Sequence, residues 1–217
     1  MAPVKILALD AALGGFSAAL DDGSTVRVEA TGAQDALEAG LARIERLLEA
    51  AGLSLRELDR IAVGLGPGSF TGVRIALAYA KSLAYGSGVP LVGISSYDAL
   101  EPDDPPLPVL TVVRGRKGVV CARLRAAGGS RTACGPAEQV LDTLLGRGTG
   151  EIALAGNTED VLSEIAERGW TVRALPPRTD VAARAIAQLA RTRPPSATPH
   201  ALAPDYGEAP AVTQAKR

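Results

Sequence analysis

Four glycines, a serine and an arginine fall within eleven residues, Gly64-Leu-Gly-Pro-Gly-Ser-Phe-Thr-Gly-Val-Arg74. The apolar run Ile61-Ala-Val63 leads into them, and an apolar helix-like stretch from Ser69 to Gly86 follows. Strand, glycine turn and helix together make a geometry in which backbone N–H groups at a helix start can face a phosphate. The same geometry lets two backbones approach closely, because no β-carbon stands between them. Asp10, at the end of the apolar run Val4–Leu9, could orient a metal, and Gly66, Gly68 and Ser69 would be the nucleotide-facing part of the turn.

What surrounds these residues decides against the common phosphate motifs. A P-loop places Lys-Ser/Thr directly after its last glycine. Here Val73-Arg74 follows Gly72, and the nearest lysine, Lys81, lies too far along the helix. The spacing Gly66-x-Gly68-x-x-x-Gly72 is one residue too long for a dinucleotide fingerprint, with no acidic residue on a following strand end. Ala11 and Ala12 after Asp10 offer no hydroxyl to a phosphate. The single histidine, His200, stands in a Pro-rich segment, which argues against His-based acid–base catalysis, a His metal site or a Ser-His protease. Cys121 and Cys134 have neither metal nor disulfide spacing, which is the pattern of a reducing compartment.

The elements that must position this turn are readable from hydrophobic periodicity. Val4–Leu9, Phe16–Leu20 and Thr25–Ala30 read as strands, with Asp21-Asp-Gly23 as a hairpin turn. A helix over 34–51 closes at Gly52, a strand spans Arg60–Gly64, and a helix runs Ser69–Gly86. Leu91-Val92 is a short strand, and Ser95-Ser96 caps a helical turn toward Leu100. That order is the ribonuclease-H-like half-domain pattern. Four prolines between Glu101 and Pro108 break any helix or central strand.

Beyond them come strands at Val109–Val113, Val119–Leu124, Ile152–Ala155 and Thr171–Ala174. Helical stretches lie near Pro136–Leu145, Glu159–Arg168 and Val181–Arg191. The expected organisation is a lobe over 1–100, a linker over 101–108, a smaller α/β lobe over 109–191 and a Pro/Ala-rich tail over 192–217. Two such lobes in tandem, each a mixed sheet flanked by helices, make an α/β protein of actin-like (ASKHA) architecture. The tail is expected to add little to folding, so truncation after Arg191 should leave a folded protein.

Composition narrows the rest. Hydrophobic residues make up 47% of 217 and aromatics only 3%, so the core is built from Ala, Leu and Val. A net charge of −1 sets up no field to recruit nucleic acid, and any RNA contact needs a local patch or a partner's surface. No apolar stretch approaches the ~20 residues of a membrane span, and no signal peptide is visible. The expected setting is cytoplasmic.

The two helices of the first lobe read differently. Leu37, Leu41, Ile44, Leu47 and Leu48 form one stripe, as a core-facing helix with a solvated back would. The Ser69–Gly86 helix carries Phe70, Val73, Leu77, Ala80 and Ala84 on one face and Ile75, Tyr79 and Leu83 on the other. Thr71, Arg74, Lys81 and Tyr85 are confined to a strip between. One face can meet the sheet; the other needs a cover. The expected partner-binding residues are Leu41, Phe70, Thr71, Val73, Arg74, Leu77, Ala80, Lys81 and Ala84.

Ile61–Ile75, continuing through Gly88-Val-Pro-Leu-Val-Gly-Ile-Ser-Ser-Tyr-Asp-Ala-Leu100, resembles the TsaB (YeaZ) family. Leu47–Leu58 extends the likeness, the second lobe matches weakly, and Ala203-Pro-Asp-Tyr206 resembles a Pro-x-Tyr near the family's C-terminus. The resemblance implies an actin-like fold without catalytic outfit. Its role would be a scaffold or activating subunit in making threonylcarbamoyladenosine beside the tRNA anticodon. It implies docking on a TsaD-like catalytic subunit through N-terminal-lobe helices, joined by a TsaE-like ATPase, with tRNA met only through the complex. No cofactor would belong to this chain; ATP and metal would sit on partner subunits. Three departures stand out: Asp10-Ala-Ala12 for Asp-Thr-Ser, Ala36-Leu37 for His-Ser, and Arg114-Gly-Arg116 for Asp-Ala-Arg. The alternative is a stand-alone actin-like ATPase or sugar kinase, and the residues leave both monomer and homodimer open for the free protein.

Overall fold

A computed structural model describes residues 4–32, 35–179 and 181–207. The expected helix start at Gln34 and the tail beyond Gly207, Val212 included, lie outside the described residues. Five strands, β1 (Ile6–Asp10), β2 (Ser17–Asp21), β3 (Val26–Ala30), β4 (Arg60–Gly64) and β5 (Leu91–Ile94), form the first sheet in the order β3-β2-β1-β4-β5. The first three are antiparallel and β1, β4 and β5 parallel.

Alternation along β1 sorts its side chains onto two cores. Leu7 and Leu9 face helices α1 (Ala36–Ala51) and α2 (Phe70–Ser87), meeting Ile44, Leu47, Leu48, Ala76, Leu77 and Ala80. Ile6 and Ala8 face the other way, onto Ala183, Ile186, Ala187 and Ala190 of α6 (Ala182–Ala190). That second face is paved with small residues, Ala8, Ala19 and Ala62, which lets a helix rich in alanine lie close.

A second sheet repeats the first strand for strand. β6 (Val109–Arg114), β7 (Val120–Ala126), β8 (Gly129–Gly135), β9 (Gly150–Gly156) and β10 (Trp170–Ala174) take the order β10-β9-β6-β7-β8. Helices α4 (Ala137–Leu144) and α5 (Leu162–Glu167) cover one face through Val140, Leu141, Leu144 and Ile165. Between the sheets lies α3 (Ser96–Leu100), capped by Ser95, whose Tyr97 packs with Val113 and Cys121. The two mixed sheets flanked by helices are the actin-like arrangement.

Several expectations need correction. β8 is a strand that periodicity did not reveal, because it is an outer strand whose first four residues are exposed. Its pairing sets Cys121 directly opposite Cys134, and the two form a disulfide. Their separation of 13 matches no motif because a hairpin, not a motif, brings them together. Cysteine usage therefore gives no argument for a reducing compartment.

The helix expected at 181–191 in the second lobe instead covers the first sheet. Ala183 N–H donates to Ser17 Oγ (3.3 Å), and Arg191 Nε meets the buried Asp21 carboxylate at 2.7 Å. The stretch after Arg191 is not a loose tail either. Ser196 N–H bonds Leu91 O (2.8 Å), Asp205 N–H bonds Leu65 O (2.7 Å), and Leu202 packs on the first core. Its prolines exclude a long helix and leave one short 3-10 turn, Pro199–Ala201, yet the chain still lays Leu202 against the core.

A buried carboxylate ties the lobes. Glu101 accepts from Arg123 Nη2 (2.7 Å), Arg125 Nη2 (2.8 Å) and Thr111 Oγ1 (2.5 Å). Arg123 also reaches Asp98 (2.7 Å), which holds Arg193 (2.9 Å). Charges of both signs are matched, as burial demands.

The packing of the 192–207 stretch predicts that Leu202→Ala lowers stability by about 1–2 kcal/mol. Truncation after Arg191 should cost more, a drop in Tm of roughly 5–10 °C for a chain of this size. Thermal unfolding followed by circular dichroism measures both, and an unchanged Tm in the truncated chain would mean the strap adds nothing to the fold.

Candidate functional site

The glycine turn closes on the chain's own backbone. Ser69 N–H donates to Ala12 O (2.9 Å), and Ser96 N–H donates to Gly66 O (2.7 Å). Leu65 N–H donates to Ile94 O (2.8 Å), and the Ser69 hydroxyl accepts from Gly72 N–H (3.2 Å) as the cap of α2. A β-carbon on Gly72 would stand 1.7 Å from Ala11 O, and one on Gly68 2.3 Å from Ala12 O. Gly66 and Gly68 also adopt φ of +95° and +151°, open to glycine and strained for other residues. Close backbone packing is realised at this turn: Gly72 and Gly68 meet the carbonyls of Ala11 and Ala12 with no room for a side chain.

Asp10 is sealed beneath. Its Oδ2 accepts Leu13 N–H (3.0 Å), while Oδ1 is buried without a hydrogen-bond partner. Gly64 leaves the room for it; a β-carbon there would be 2.2 Å from Oδ1. Desolvation pushes the carboxyl up from 3.8 to about 6, against the pull of the Leu13 and Ala12 amides. Among the described residues no group of three or more His, Cys, Asp or Glu side chains is placed to hold a metal ion.

The outer face of α1 and α2 is the second candidate site. Six large apolar side chains are exposed among the described residues, and four lie here: Leu37 (66%), Leu41 (44%), Phe70 (52%) and Tyr85 (81%). Thr71, Arg74 and Ala78 are exposed beside them and Lys81 is half-buried. Val73, Leu77, Ala80 and Ala84 are buried against the sheet, so they are core and not partner-binding residues. The face expected to bind a partner is thus the one facing the sheet, and the exposed side of α2 is the charged strip with Phe70 and Tyr85. Leu37 and Leu41 correct the reading of α1 in the same way. Only the last half of its stripe reaches the sheet, while Gly40 abuts the Tyr79 ring and Tyr79 Oη donates to Leu37 O (2.6 Å).

The described structure adds Tyr206, which sequence left as a fragment of resemblance. Its ring lies 4.7 Å from that of Phe70, and Arg74 Nε donates to its hydroxyl (2.8 Å). Lys81 Nζ reaches His200 O (3.0 Å).

A family model described as "TsaD: tRNA N6-adenosine threonylcarbamoyltransferase" matches residues 33–187. A tRNA threonylcarbamoyladenosine biosynthesis protein TsaB of Escherichia coli is 36% identical over 94 residues, 43% of this chain and 41% of that protein. The chain belongs to this family, in its TsaB (YeaZ) branch. A tRNA N6-adenosine threonylcarbamoyltransferase of Cereibacter sphaeroides is 56% identical over 52 residues, 24% of the chain and 14% of that protein. The matched regions thus span less than half of these curated relatives, 41% and 14% of their lengths. YeaZ from Pseudomonas aeruginosa superposes with a TM-score of 0.68 at 24% identity, covering 94% of this chain and 99% of that one, a likeness of fold. No helix among the described residues is long and apolar enough to cross a membrane.

Two outcomes follow for the turn. Gly72→Ala should cost at least ~3 kcal/mol, because its β-carbon collides with backbone that cannot move aside; denaturant titration measures it. For Asp10 the folded pKa lies above the unfolded one, so the ionised carboxylate weighs against folding. Its contribution improves as pH falls through about 6 and levels off below the unfolded value. The swing is on the order of 2–3 kcal/mol. Asp10→Asn should remove that swing, seen as a flatter stability profile between pH 8 and pH 4 than in the wild type.

Proposed function

We propose that this chain is a non-catalytic scaffold or activating subunit of the machinery that makes threonylcarbamoyladenosine in tRNA. It docks on a TsaD-like catalytic subunit through the outer face of α1 and α2. The observation that carries this reading is the concentration of exposed apolar side chains on that face: Leu37, Leu41, Phe70 and Tyr85. An apolar patch of this kind on a soluble fold usually marks an interface. Aromatic and arginine side chains are the types that dominate such interfaces energetically, and Phe70, Tyr85 and Arg74 are all present.

Family membership supports the tRNA-modification context, and the name of the Escherichia coli relative supports the same one. The packed glycine turn, the alanines after Asp10 and the lone histidine on an exposed segment support a role without chemistry of its own. In this reading ATP and metal are held by the partner subunits, a TsaE-like ATPase joins the assembly, and tRNA is met in the complex, in the cytoplasm. The same face serves a second copy of the chain when the catalytic subunit is absent.

Placing charge on the face tests the proposal. Leu41→Asp and Tyr85→Asp should each weaken association with the catalytic subunit by about 2 kcal/mol, roughly 30-fold, with Tm unchanged. Isothermal titration with the purified partner measures it, and undiminished affinity would move the interface elsewhere. The chain alone should neither modify tRNA nor hydrolyse ATP appreciably. ATP turnover by the purified chain that vanishes in Asp10→Ala would overturn the scaffold reading.

A further inference from the structure

The stretch from Ser196 to Gly207 runs back over the first lobe and ends against α2. It is fixed to the scaffold at three levels. Backbone hydrogen bonds hold Ser196 to β5 and Asp205 to Leu65 of the glycine turn. Leu202 packs on the first core. Gly207, at φ +71°, sits directly on the Cys121–Cys134 bridge, where a β-carbon would fall 2.4 and 2.5 Å from the two sulfurs. A strap pinned on both sides of Tyr206 presents that side chain in one place.

What Tyr206 meets there is the proposed docking face. Arg74 lies against the paired Phe70 and Tyr206 rings, its guanidinium carbon 3.9 Å from the Phe70 centroid and 5.4 Å from that of Tyr206. Its Nε is bound to the Tyr206 hydroxyl at 2.8 Å. Arg74 and Phe70 are nonetheless exposed, so the strap orders them without covering them. A free arginine on a helix surface has about 2 kcal/mol of rotamer entropy to lose on binding. Holding it beforehand removes part of that cost, which is how pre-organisation raises affinity.

We infer that the 196–207 strap is the third element of the docking surface, with Tyr206 as the positioning residue that pre-orders Phe70 and Arg74. This rests on the docking reading above. The occupant is the transferase subunit, through an apolar patch that receives the Phe70 ring beside a carboxylate that meets the Arg74 terminal nitrogens in bidentate fashion. Nε is engaged by Tyr206, so the Nη pair is the edge of the guanidinium left to present outward.

The test uses the full-length chain and the purified transferase subunit, with binding read by titration calorimetry and folding by Tm. Tyr206→Ala should weaken binding about 10-fold, and Tyr206→Phe, which loses only the hydroxyl bond, about 3-fold. The readout that a merely structural role would not move is coupling. Arg74→Ala combined with Tyr206→Ala should bind no more weakly than Arg74→Ala with Phe70 left in place, to within a factor of about 3. Fully additive losses, or Tyr206→Ala binding as tightly as the wild type, would overturn the inference while leaving the docking reading intact. Failure of the wild-type chain to bind the transferase subunit at all would overturn both.

Discussion

The first lobe is organised around one contact of backbone on backbone. The loop leaving β1 at Ala11-Ala12 lies against the start of α2 so closely that Gly68 and Gly72 have no room for a side chain. That approach fixes where α2 begins, and hence the angle at which Ala76, Leu77 and Ala80 meet the sheet. It also buries Asp10 and closes over it. The strand-one loop and the glycine turn are thus in direct backbone contact.

The second lobe supports this arrangement from the other side. Leu13 and Leu100 pack with Tyr97, Val113 and the cysteine pair between the two sheets. Glu101 is neutralised by two guanidiniums from β7. Apolar filling and a matched ionic cluster together join the lobes. The burial of this carboxylate is offset by the Arg123 and Arg125 guanidiniums beside it, and those arginines are anchored on a strand whose partner strand carries the second cysteine. The second lobe, expected from its elements to be the smaller, repeats the five-stranded topology of the first in full.

The strands of the first sheet, both long helices and the Ser95 cap were legible because each has a strong period or punctuation of its own. The glycine turn was legible as a motif but ambiguous in meaning, since phosphate binding and close packing need the same residue type; only the neighbouring Ala11 and Ala12 carbonyls separate them. The face of α2 assigned to a partner is the one that meets the sheet, and the exposed side is the polar strip between the two apolar faces. Val73 and Leu77 mark that face as apolar without saying whether a sheet or a partner covers it, while Phe70, in line with them, sits at the start of the helix where it escapes the sheet. β8 was missed because four of its residues face solvent and show no alternation. The disulfide was missed with it, because it depends on that pairing alone. The destination of α6 was hidden for a different reason: an amphipathic helix declares that it has a buried face, not which sheet will bury it.

The return of α6 and the strap has a consequence for how the chain comes to be folded. The face of the first sheet that carries Ile6, Ala8 and Ala62 stays bare until residues 183–190 arrive, and Leu202 joins the opposite core later still. As synthesis proceeds, the earliest sheet therefore waits exposed while the entire second sheet is made and pairs with itself. The lobe that begins first finishes last, and a cell making this chain must hold a half-clad sheet of alanine and isoleucine out of reach of its neighbours for most of translation.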